Sequence, residues 1–149
     1  EVLQFFKECK EENSEDNPLS FDIETASGEI TCIGFAPSPE RSMVVPFRDT
    51  TQKSQTFYNY TTELAVWSAI KELLEDKTIV KVAQNQTYDV SWLNHKYGIE
   101  VAGTIHDTMH AQHAIQPEME KGLGFLGSIY TNEGAWKNLT SFSKSTKEE

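Results

Sequence analysis

Cysteine is scarce. Cys9 and Cys32 are the two in 149 residues, far apart and without Cys-x-x-Cys spacing. That argues against a disulfide framework or a thiolate zinc site and points to a reducing compartment. Positive charge is also short, with 13 Lys and Arg against 23 Asp and Glu and a net charge of -10. A free-standing, tight nucleic-acid binder would show a basic patch, and Lys10, Lys53, Lys81 and Lys96 are scattered. Chemistry on phosphate stays open, because carboxylates that hold metal ions make a site acidic and the cations then reverse the local field. No apolar run approaches the roughly 18 residues of a membrane span, so no membrane partner is expected. The N-terminus lacks a signal peptide's basic start and apolar stretch.

What is present reads as one domain with a real core. Residues 1–17 predict a short helix and a polar linker, and 18–137 the folded domain. The tail from 138 to 149, almost free of apolar residues, predicts disorder. Strands are expected over Pro18–Thr25, Gly28–Pro37 and Arg41–Phe47, joined by short connections into an antiparallel meander. Asn59-Tyr60-Thr61 caps an amphipathic helix with Leu64, Trp67, Ile70, Leu73 and Leu74 at helical spacing. A strand over Thr78–Ala83, a helix over Thr87–Tyr97 ending at Gly98 and a strand over Val101–Ile105 follow. Asp107 then reads as the N-cap of a helix to about Ile115, and Gly122–Tyr130 as a final helix. The class is α/β: a mixed five-stranded sheet, three antiparallel strands then two parallel ones, flanked by helices.

Asp22 and Glu24, in Phe21-Asp22-Ile23-Glu24-Thr25, are one residue apart in the first strand. Strand periodicity points both to one face, with Phe21 and Ile23 on the other. Two like charges on a buried face repel and lose hydration, which a divalent metal relieves. The plain alternative is an edge strand whose polar face meets water. A second motif, Gln84-Asn85-Gln86-Thr87-Tyr88-Asp89, lies about 60 residues on. Its strand delivers Gln84 and Asn85 to a C-terminal end, where ligands gather in open α/β sheets. Asp89 falls in the next helix's first turn, where an acid is favoured by the helix dipole even without a ligand.

Together Phe-Asp-Ile-Glu-Thr and Gln-Asn-x-x-Tyr-Asp resemble the DEDD-type 3′–5′ exonucleases, closest to the proofreading domain of family A DNA polymerases. His106-Asp107-Thr108-Met109 and Gly122-Leu123-Gly124-Phe125-Leu126 resemble the segment that follows there, so the likeness spans roughly Pro18 to Trp136. The resemblance implies a ribonuclease H-like fold and two Mg²⁺ or Mn²⁺ ions about 3.5–4 Å apart. By motif position it implies that Asp22 bridges both metals, Glu24 holds the nucleophile-side ion and Asp89 serves the second. It also implies that Gln84 and Asn85 bond the 3′-terminal nucleotide, with Thr25 and Tyr88 beside the substrate. The implied partners are a single-stranded DNA 3′ end and a polymerase domain in the same or a partner chain, in the cytoplasm of a bacterial or phage-infected cell.

One departure matters. The family's fourth carboxylate sits in a Tyr-x-x-x-Asp motif, and this chain has no Asp after Asp107. Tyr130-Thr131-Asn132-Glu133 has the wrong spacing, so truncation before the closing helix and weak or absent activity are expected. Two rival readings stay open: a non-catalytic exonuclease-like module, and an RNA-directed, ribonuclease D-like relative. His106, His110 and His113, at i, i+4 and i+7, read as one face of an ordinary helix rather than a transition-metal site.

Overall fold

The computed structural model describes residues 1–49 and 55–132. The chain divides into two compact units, Glu1–Asp107 and Thr108–Glu149.

In the first unit, helix α1 (Val2–Glu12) sends Phe5, Phe6 and Cys9 into the core. Strand β1 (Leu19–Ala26) alternates as its sequence requires: Leu19, Phe21 and Ile23 are buried, whereas Asp22 and Glu24 are exposed. Strand β2 (Glu29–Ser38) runs back along it through the two-residue turn Ser27-Gly28, with φ of 54° and 80°. Positive φ at both central residues gives a turn whose twist matches that of the strands, which suits Gly28. Strand β3 (Arg41–Pro46) completes the meander, and β4 (Arg48–Asp49) with β5 (Gln55–Thr56) forms a small separate ribbon.

Helix α2 (Tyr60–Glu75) starts where Asn59 Oδ1 accepts the backbone N–H of Thr62 at 2.9 Å. It buries Val66, Ile70, Leu73 and Leu74. Leu64, assigned to the apolar stripe, is instead 55% exposed. Trp67 is stacked between Phe47 and Tyr97, each with its ring centroid 4.1 Å away. Strand β6 (Lys81–Ala83), helix α3 (Gln86–Tyr97) and strand β7 (Ile105–Asp107) follow. Gly98 ends α3 in the left-handed conformation, its N–H bonded to Asn94 O.

The sheet order is β3-β2-β1-β6-β7, antiparallel among the first three and parallel across β1-β6-β7, as expected from the element pattern. The last strand begins later than its apolar pattern suggested. Ala102 N–H bonds Leu74 O instead of a strand, and Gly103 takes φ 81° where a Cβ would lie 2.7 Å from Lys77 O. Lys81, fully buried, donates from Nζ to Asp76 O, Ile79 O and Ala102 O at 2.8–3.0 Å. It ties the loop before β6 to the loop before β7.

The second unit contains α4 (Thr108–Ile115) and α5 (Leu123–Tyr130). Tyr130 Oη donates to Gln112 Oε1 at 2.8 Å. His106 belongs to strand β7 and not to α4, so the three histidines do not share a helix face. No described helix is long and apolar enough to cross a membrane. The expected disordered tail, with Glu133 and Trp136, lies outside the described residues.

Candidate active site

The parallel pairing of β1 with β6 is short, Leu19 opposite Lys81 and Ser20 opposite Val82. Beyond it, the edge of β1 facing β6 needs another acceptor, because a buried backbone N–H left unpaired is costly. Asp89 supplies it. Its Oδ1 accepts the N–H of Ile23 at 3.0 Å, so the carboxylate from α3 sits against the peptide bond joining Asp22 to Ile23. The second motif is thereby brought to the first.

Asp89 is 3% exposed. Burial pushes its carboxyl up to about 6; the charges of Asp22 and Asp107 add to the rise, and the Ile23 hydrogen bond opposes it. The crowding expected of a buried Asp22–Glu24 pair therefore falls on Asp89, since the pair on β1 is solvated. Across the hairpin, Glu24 faces Cys32, whose thiol is pushed up by burial and then by Glu24 and Asp22.

The start of α3 is held from the neighbouring strand by Asp107. Asp107, at the end of β7, accepts from the Asn85 N–H with Oδ1 at 3.1 Å and from the Gln86 N–H with Oδ2 at 2.9 Å. It thereby secures the first turn of α3 while standing immediately before α4, which begins at Thr108. Pairing of Ala83 with Asp107 at the ends of β6 and β7 puts the carboxylate beside that helix start. The available signal was an Asp two residues past a predicted parallel strand next to the one that feeds α3. Asn85 itself takes the left-handed conformation, φ 58° and ψ 49°, which Asn tolerates better than most residues. Its side chain is exposed, and Gln84 is half-buried just after β6.

Thr25 and Tyr88 also meet, with Thr25 Oγ1 and Tyr88 Oη 2.8 Å apart. A register shift between Glu24 and Thr25 re-aims the end of β1, as bulges do beside sites. Thr31 Oγ1 bonds Glu24 O at 3.1 Å and steadies the shift. The structure thus joins Asp22, Glu24 and Thr25 on β1 to Tyr88 and Asp89 on α3, with Gln84 and Asn85 at the connection between β6 and α3.

Hard carboxylate oxygens, one of them buried and pushed toward protonation, suit Mg²⁺ or Mn²⁺, which would relieve the crowding. The set is open, however: among the described residues no group of three or more His, Cys, Asp or Glu is assembled to hold an ion. The donor chemistry fits and the cage is incomplete.

Comparison with known proteins bears on the fold and the family. No curated protein matches the chain. Solved structures share its fold, among them the three that follow. NrnC of Brucella melitensis with bound Mg²⁺ is 17% identical, with TM-score 0.57, over 76% of this chain and 53% of that one. Escherichia coli RNase D, an exoribonuclease involved in structured RNA processing, is 14% identical, with TM-score 0.55, over 87% and 31%. The EXD2 exonuclease domain soaked in Mn and GMP is 19% identical, with TM-score 0.53, over 78% and 55%. The chain spans about half the length of NrnC. The fold is ribonuclease H-like, a mixed five-stranded sheet flanked by helices. A family model described as 3′–5′ exonuclease matches residues 2–147, and the chain belongs to that 3′–5′ exonuclease family.

Proposed function

We propose that this chain is a metal-dependent 3′–5′ exonuclease domain that hydrolyses phosphodiester bonds at the 3′ end of single-stranded DNA, beside a polymerase domain in the same or a partner chain. The observation that carries the reading is the contact of Asp89 with the Asp22–Ile23 peptide, which unites the family's first two motifs. Asp22, Glu24 and Asp89 are the residues that would hold two Mg²⁺ or Mn²⁺ ions. When bound, those ions would activate a water and stabilise the leaving oxygen of an in-line displacement. Asp22 and Glu24 present solvated carboxylates on one strand face. Asp89 supplies a carboxylate fixed by its backbone bond. Gln84 and Asn85 offer amides to the terminal nucleotide at the helix start, and the Thr25–Tyr88 pair closes the side of the site.

The test is release of 5′-mononucleotides from the 3′ end of a 5′-labelled single-stranded oligonucleotide in Mn²⁺. Slow release is expected from three carboxylates, and Asp22→Ala or excess EDTA should abolish it. Release that survives both treatments excludes this reading. Running DNA and RNA oligomers of one sequence in parallel separates the proofreading role from a ribonuclease D-like one.

A second reading draws on the open cage. A non-catalytic module would bind the oligonucleotide saturably and release nothing in either metal.

A further inference from the structure

The outer side of α3 carries a row of which the catalytic reading uses only Tyr88. Tyr88, Trp92 and Lys96 follow at four-residue intervals, so they lie one above the other along the helix. Tyr88, 46% exposed, is the end nearest the site, held there by Thr25. Its ring centroid is 6.2 Å from that of Trp92, at 51°, and Lys96 Nζ lies 6.0 Å from the centre of the Trp92 ring. Trp92 is half-buried, its inner side packed against the core. Beside it opens a shallow hollow of about 200 Å³ lined by Ser91, Trp92, His95 and Lys96. His95 Nδ1 is bonded to Ser91 O at 2.8 Å, which leaves the other edge of the ring facing outward.

A helix-stabilising role explains part of this, since Lys96 in the last turn favours the helix dipole. It does not explain two half-exposed aromatic rings in line with Lys96, or their continuity with Thr25. Aromatic faces followed by positive charge are what a single strand needs: bases stack on the rings, and phosphates meet the cations. In a chain of net charge -10, Lys96 gives the phosphates of a strand a positive group to meet beside the rings.

We infer that Tyr88, Trp92, His95 and Lys96 form a stacking shelf that holds the nucleotides upstream of the 3′ end of single-stranded DNA. The shelf extends the proposed exonuclease site and rests on that reading. A strand whose last two nucleotides sit at Thr25 and Tyr88 would place the bases further upstream at Trp92 and their phosphates at Lys96. Longer oligomers should therefore bind more tightly than dinucleotides.

The experiment is fluorescence anisotropy with labelled dT2 and dT6 in Ca²⁺, comparing the wild type with Trp92→Leu and Lys96→Gln. Thermal melts identify any variant that fails to fold, and Trp92→Phe, which keeps a stacking face, serves as the rescue. The expected result is tighter binding of dT6 than dT2 by the wild type. Trp92→Leu should lose roughly 5- to 100-fold on dT6, with little change on dT2, and Trp92→Phe should recover most of it. Lys96→Gln should lower the salt slope of dT6 binding by about 0.7. A length preference that persists unchanged in both folded variants overturns the shelf while leaving the exonuclease reading intact. Failure of the wild type to bind either oligomer overturns that reading, and the shelf with it.

Discussion

Asp89 Oδ1 takes the N–H of Ile23 at 3.0 Å, and so fastens helix α3 to the strand that carries Asp22 and Glu24. One carboxylate thereby has two tasks, closing a gap in the sheet edge and offering charge to a metal. The two tasks separate by mutation. Asp89→Asn keeps an oxygen for the Ile23 N–H and loses the charge; the fold should persist while Mn²⁺ affinity falls by roughly 10- to 100-fold or more. Asp89→Ala should also lose about 1–3 kcal/mol of stability, because the Ile23 N–H is left unsatisfied. Chemical denaturation and metal titration of both variants check this, and equal stability of the two would contradict it.

The pH dependence of the metal-free protein follows from the same group. Burial raises the Asp89 carboxyl to about 6 from its usual 3.8. A group with a raised folded-state value contributes stability below its unfolded value and loses it as pH rises through the folded one. Asp89 should therefore make the metal-free protein less stable as pH climbs from about 4 to about 6. Asp89→Asn should remove that component, and saturating Mn²⁺ should counteract it. Urea midpoints across this range supply the measurement.

Asp107 is expected to act through position. Its two oxygens hold the Asn85 and Gln86 amides that begin α3. Asp107→Ala should cost about 1–2 kcal/mol as a lost helix cap. It should also weaken Mn²⁺ binding by letting the first turn, with Asp89, drift. Asp107→Asn, which retains one acceptor, should restore part of both. A variant that loses stability and keeps full metal affinity would show that the cap does not position the site.

Lys81 tests the scaffold apart from the chemistry. Burial lowers its ammonium to about 8, with Asp76 opposing, and three carbonyls accept from it. Here the folded-state value lies below the unfolded one, so this component of stability is present above about 10.5, and is lost as pH falls through about 8. Stability should therefore gain a rising component between these limits. Lys81→Met should erase it and cost about 3 kcal/mol by leaving the carbonyls unpaired. Lys81 begins β6 and the site lies past its other end, so metal affinity should hold.

Much of this was legible in the chain because periodicity reports faces. Alternation over Leu19–Glu24 separated core from acid on β1, and Asn59 and Gly98 marked helix ends through their capping preferences. What escaped depended on contacts between distant segments. Asp107 reads as the cap of the helix that follows it, and what the chain did not show is that parallel pairing of β6 and β7 also delivers it to α3. The burial expected of Asp22 and Glu24 belongs to Asp89, because a helix can press one side chain against a sheet edge in a way that strand alternation does not report. The start of β7 was misplaced because Val101 is apolar without being in a strand, packing against the core from an irregular segment.

The most direct test of the central claim is calorimetric titration of Mn²⁺ into the wild type, Asp22→Ala and Asp89→Asn at neutral pH. The account predicts saturable binding by the wild type that each substitution abolishes or weakens steeply, because the carboxylates of β1 and α3 share the ions. Identical isotherms for all three proteins would contradict it.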